Sequence, residues 1–149
     1  MKSLNKVALA LLFCLTATAG FTQHSSKPAL FGNYPPIINC SAFEFNNALA
    51  AAEGQHVVLF FSDNFKFSGT VISNVVKYSN LQSITIKSDQ MENTIFHLSR
   101  QQLDGDNVSF VGRIISPNAN DGYEIKKDTA GNYKLEKIEA SKILQECNL

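Results

Sequence analysis

Phe65-Lys66-Phe67-Ser68-Gly69-Thr70-Val71 alternates apolar and polar residues one for one. A strand turns successive side chains to opposite faces, so this rhythm belongs to a sheet with one buried face. It recurs from Val75 to Tyr78, Leu81 to Lys87 and Thr94 to Arg100, and in shorter form around Tyr123 to Lys126 and Tyr133 to Leu135, while Val108 to Ser116 reads as a further, strongly apolar strand. The uninterrupted run Val57-Val58-Leu59-Phe60-Phe61 reads instead as a strand buried on both faces. Turn residues punctuate the series at Asp104-Gly105-Asp106-Asn107, Pro117 to Gly122 and Asp128 to Asn132.

Helical spacing appears at the two flanks. Ser41-Ala42-Phe43-Glu44 fits a capping box, in which the Ser41 hydroxyl accepts from the Glu44 N–H and the Glu44 carboxylate reaches back to the Ser41 N–H. Ala42, Phe45, Leu49 and Ala52 follow on one face, with Gly54 as the expected terminator. Ala140, Ile143, Leu144 and Cys147 repeat the stripe and predict a short C-terminal helix. The expected fold class is therefore α+β: an N-terminal helix packed on a curved, antiparallel, six- or seven-stranded meander, closed by the second helix. A small, partly closed β-barrel with the helix plugging one end is the alternative.

The first residues have a different character. Lys2 and Lys6 precede an apolar run from Val7 to about Ala17, followed by Ala17 and Ala19 in an A-x-A arrangement. Such a segment reads as a secretory signal peptide, with cleavage expected near Ala19 and a secreted or periplasmic product. Its apolar run falls short of the ~20 residues of a spanning helix, so no transmembrane segment is expected in the mature form. Cys14 resembles a lipid-attachment cysteine only loosely, because bulky Phe13 stands before it. Residues 20–36, with Pro28, Pro35 and Pro36, read as an extended arm from which Phe31, Tyr34, Ile37 and Ile38 can dock, and residues 37–149 as a single domain.

The leader changes the charge and cysteine arithmetic. The whole chain balances 13 Lys plus Arg against 13 Asp plus Glu. Loss of Lys2 and Lys6 leaves 11 against 13, a formal charge of −2. Nucleic-acid binding, which needs many phosphate neutralisations, is not expected. Cys40 and Cys147 remain in a disulfide-permissive compartment, and one bridge between them is expected. Closing a loop of more than about a hundred residues would contribute about 4–5 kcal/mol in the chain-entropy account.

Chemistry is harder to find. No zinc-protease, C-x-x-C, nucleophile-elbow, phosphate-loop or dinucleotide motif occurs, and no cofactor is expected. His97 and Ser99 share one face of a strand and form the candidate catalytic pair of a small exported hydrolase, with an acid to be supplied from elsewhere. His56, at a helix-to-strand junction, and His24, in the arm, have less support. Asp104 with Asp106, and Asn118 with Asn120 and Asp121, offer oxygen atoms but lack a calcium-loop spacing, and turn chemistry accounts for them. Arg113, in an apolar strand, is expected to pair with an acid rather than bind a ligand. The aromatic residues Phe60, Phe61, Phe65, Phe67, Phe96, Phe110, Tyr123 and Tyr133 are assigned to the core ahead of an apolar pocket.

The leading expectation for function is a non-catalytic exported module that binds a protein, a peptide or a small apolar ligand. The hydrolase is one alternative. The other is a structural component of an envelope or surface assembly, joined through a strand edge.

Overall fold

The computed structural model describes residues 27–103 and 107–140. Its elements in chain order are β1 (Ile37–Cys40), α1 (Ala42–Ala50), β2 (His56–Ser62), β3 (Phe65–Tyr78), β4 (Leu81–Ser88), β5 (Ile95–Gln102), β6 (Val108–Ile115), β7 (Asp121–Lys127) and β8 (Tyr133–Glu139). All eight strands join one antiparallel sheet in the order β1-β8-β7-β6-β5-β4-β3-β2. The sheet curls until its two edge strands, β1 and β2, approach each other without a ladder between them. The result is a nearly closed barrel.

This corrects the expected α+β layout of a helix on a six- or seven-stranded meander. Only one nine-residue helix is described, and the strands number eight. The extra strand is β1, a four-residue segment too short to show a period, which pairs with β8 through Ile38 opposite Leu135 and Cys40 opposite Tyr133. Curling has a physical cause. Every strand from β2 to β8 presents large apolar residues to one face, among them Leu59, Phe67, Ile86, Phe96, Ile114, Tyr123 and Leu135, all almost fully buried. One short helix cannot cover such an area, whereas a sheet wrapped on itself covers its own. Gly112 shows how tightly the strands coil: a Cβ there would stand 2.4 Å from the His97 carbonyl oxygen. The C-terminal helix expected over 140–147 lies, apart from Ala140, outside the described residues.

The two ends of the barrel are plugged differently. At one end α1 inserts Phe45, Ala48 and Leu49, and the Phe45 ring meets Phe110 and Tyr133 at centroid distances of 5.4 and 5.6 Å. At the other, the Pro-containing arm inserts Phe31, which meets Tyr123 edge-on at 5.3 Å. Asp121 accepts from the Leu30 and Phe31 N–H groups, and Lys137 Nζ donates to the Phe31 and Tyr34 carbonyls, both at 2.7 Å. Residues 28–36 are thus built into the domain.

The helix ends differ in detail from the capping box. Ser41 is the N-cap, but its hydroxyl accepts from the Phe43 N–H at 3.1 Å, and the Glu44 carboxylate takes the Phe60 N–H of β2 at 3.0 Å instead of the Ser41 N–H. At the C-terminus the orphan carbonyls are bound by side chains from the sheet. Asn74 Nδ2 donates to Leu49 O and Ala51 O, and Gln82 Nε2 donates to Leu49 O. Gly54 does take a positive φ of 81°, beyond the helix in the turn leading to β2. Among the described residues no helix is long and apolar enough to cross a membrane.

Candidate functional site

His97 and Ser99 lie together on the outer face of β5. The register aligns Thr85, His97, Arg113 and Glu124 in one row across β4 to β7, and Ser83, Ser99 and Val111 in the next. A shallow concavity of about 690 Å³ runs over this face. His97 Nδ1 stands 3.1 Å from Thr85 Oγ1, and Ser99 Oγ stands 2.7 Å from Ser83 Oγ. Residues two apart along a strand are roughly 7 Å apart, and each side chain here has taken a partner on β4 instead of the other. A nucleophile must hydrogen-bond its base, so this arrangement does not make a hydrolytic pair.

The acid nearest in the row is also committed. Arg113 donates from Nε and Nη2 to Glu124 Oε1 at 2.9 and 2.8 Å, and Lys126 pairs with the other carboxylate oxygen. Partial burial alone would raise the Glu124 pKa, but the Lys126 and Arg113 bonds outweigh it and hold the carboxyl below its ordinary value. Desolvation, with the Lys77 charge second, lowers the His97 pKa. The row is a charge-paired outer face, as expected for Arg113.

The other candidates are dispersed. His56 pairs with Asp89 at 2.7 Å on the surface. Asp121 is buried and fully used by backbone N–H donors, while Asp104, Asp106 and His24 lie outside the described residues. Among the described residues no three His, Cys, Asp or Glu side chains gather as a metal site. The aromatic rings fill the interior, with neighbouring centroids from 4.9 to 6.4 Å apart, so the barrel bore is core. Phe60 is the exception, 63% exposed.

That exception leads to the seam between β1 and β2. The run Val57 to Phe61 is not buried on both faces: Leu59 and Phe61 point into the barrel, but β2 is an edge strand and turns Val58 and Phe60 outward. Ile37 on β1 and Phe43 on α1, 50% and 65% exposed, add apolar surface on the strand and helix that border the same opening. Phe60 donates its N–H away from β3, to Glu44. By the two-residue alternation of a strand, Val58 also directs its backbone N–H and C=O toward the seam. Sequence reasoning missed this site because an edge strand and a central strand share the same apolar run. Only the pairing order separates them.

Cys40 closes β1 with a half-buried thiol that donates to Ile38 O at 3.3 Å. Burial pushes its pKa up to about 11, against a smaller lowering by the Leu135 backbone. Cys147 lies outside the described residues, and with it the expected bridge. Cys40 stands opposite Tyr133, at the start of β8, whereas Ala140 follows its far end. Those points are about 23 Å apart at ~3.3 Å per residue.

Comparison with family models, with curated proteins and with solved structures found no match to this chain.

Proposed function

We propose that this protein is an exported, non-catalytic binding module that receives an extended segment of another polypeptide at the β1/β2 seam. The observation carrying this reading is the pairing order of the sheet, which ends at β1 and β2 and leaves outward apolar side chains on an edge whose Phe60 N–H is taken by Glu44 rather than by a neighbouring strand. Exposed edges are ordinarily blunted by charges or proline, and β2 carries neither within His56–Ser62 apart from His56. Main-chain pairing with β2, which requires β1 to part from β2 and Glu44 to release the Phe60 N–H, would supply affinity, and apolar residues at alternate partner positions would pack on Val58 and Phe60. The leader over residues 1–19 supports export to a secreted or periplasmic location. A filled bore favours a peptide or protein over a small apolar ligand.

Hydrogen exchange provides the test. A capped peptide alternating valine and threonine should slow exchange of the Val58 amide by about tenfold or more, and Phe60→Lys should abolish the protection. Absence of protection at Val58 would refute the seam as the site. Concentration-dependent dimers by light scattering, lost in the same variant, would show that the extended segment is β2 of a second copy.

A further inference from the structure

We infer that the α1 end of the barrel carries a second binding site, for a small organic carboxylate, built around Arg100. Arg100 points to the interior face of β5, the face of Phe96 and Leu98. It stands in register between Gln82 on β4 and Phe110 on β6, with Val76 of β3 next to Gln82 in the same row. Beyond this layer the β3–β4 hairpin overhangs, and a concavity of about 200 Å³ opens between Tyr78, Asn80, Leu81, Gln82, Arg100 and Val76. Arg100 is half-buried, and among the described residues its guanidinium makes no hydrogen bond, ion pair or ring contact.

That isolation is the unexplained feature. A guanidinium stays charged at any physiological pH and presents five N–H donors in a planar fork. The other half-buried cations of the sheet behave differently: Lys134 pairs with Glu136 and Lys137 binds two carbonyls, whereas Lys66, Lys77 and Lys87 are exposed to water. The helix C-terminus near the site cannot serve Arg100 in the same way, because Asn74 and Gln82 already bind the Leu49 carbonyl. A partly desolvated positive fork without a partner among the described residues matches a planar anion that can accept two parallel hydrogen bonds.

The walls select the kind of anion. Val76 and Leu81 offer apolar surface for a hydrocarbon body. One positive charge balances a monocarboxylate, whereas a phosphate dianion would call for a second cation. Lys77, the nearest in sequence along β3, alternates to the opposite face and acts on His97. Benzoate or a similar short acid therefore fits the site better than inorganic phosphate.

Thermal unfolding at constant ionic strength, with sodium benzoate, sodium acetate, inorganic phosphate and chloride as separate titrants, tests this. Benzoate should raise Tm saturably and phosphate should match chloride. Arg100→Gln should remove the benzoate shift, Arg100→Lys should weaken apparent affinity by about tenfold through loss of the fork, and Arg113→Gln should leave it intact. Circular dichroism establishes that each variant is folded, and the Arg100 side-chain N–H resonance of the unaltered protein should move with benzoate. An equal shift in Arg100→Gln, no benzoate response, or a response to phosphate alone would overturn the assignment.

Discussion

The Asp121 carboxylate binds the backbone of Phe31 across the mouth of the barrel, with Oδ2 3.0 Å from the Phe31 N–H. Its Oδ1 lies 2.7 Å from the Leu30 N–H, so one buried acid orders two residues that no strand ladder reaches. The plug depends on it, because Phe31 is held by backbone anchoring as well as by ring packing. Hydrogen bonds to a charged group contribute about 1.5–3 kcal/mol. Asp121→Ala should lower unfolding free energy by at least that amount in urea titration. Retention of full stability would show that the arm is held by its rings alone.

Ser41→Ala tests the helix start. Its hydroxyl caps the Phe43 N–H, and loss of such a cap costs about 1 kcal/mol. Glu44→Gln probes the departure from the capping box, since the carboxylate serves the β2 edge rather than the helix. Its effect should appear as faster exchange at the Phe60 amide. Faster exchange at the Ser41 amide instead would restore the reciprocal box.

The two-residue rhythm made the strands legible because burial on one face writes itself into every second position, as in Phe65, Phe67 and Val71. Closure was legible only as the alternative, a small, partly closed barrel plugged by the helix, and nothing in the rhythm could rank it first. An inward apolar face is required of an open sheet and of a barrel alike, and the pairing of β1 with β8 depends on contacts about a hundred residues apart. The same limit hid the seam, because Phe60 looks like core until its strand is known to be an edge. His97 and Ser99 were correctly placed on one face, but strand spacing cannot say that Thr85 and Ser83 would take their polar atoms.

Gly112 marks a position where coiling is written in the sequence. A methyl group at 2.4 Å from the His97 carbonyl oxygen and 3.0 Å from Ile125 Cδ1 forces a backbone to move, because the carbonyl cannot swing aside like a flexible side chain. Gly112→Ala should destabilise by about 1–3 kcal/mol, the usual range for overpacking. Gly54→Ala strains a positive φ but meets nothing within 4 Å, so double-mutant additivity should hold between the two sites. A neutral Gly112→Ala would mean that the β5–β6 contact is looser than this.

His97 contributes a pH dependence of definite sign. Its folded pKa lies below the ordinary histidine value, first through desolvation and then through Lys77, so the unfolded chain binds a proton more readily. The stabilisation from neutral His97 is complete above about pH 6.5, the unfolded value, and is lost as pH falls through the folded pKa. An NMR titration of the His97 ring should give a midpoint below that of the urea-unfolded chain. Lys77→Gln should bring the midpoint partway back. A midpoint at or above the unfolded value would contradict the partly desolvated setting.

Cys40 is expected to be a slow thiol. With its pKa near about 11, the thiolate fraction at pH 8 is a few hundredfold smaller than for an ordinary cysteine near ~8.5, and the greater nucleophilicity of a more basic thiolate recovers roughly tenfold. Iodoacetamide should therefore modify Cys40 about ten- to a hundredfold more slowly in the native protein than in urea, with the rate rising steeply above pH 9. Mass spectrometry without reductant separates this from a bridge. Slow labelling at full mass indicates a buried thiol, whereas no labelling with a mass two hydrogens lower places Cys147 beside it.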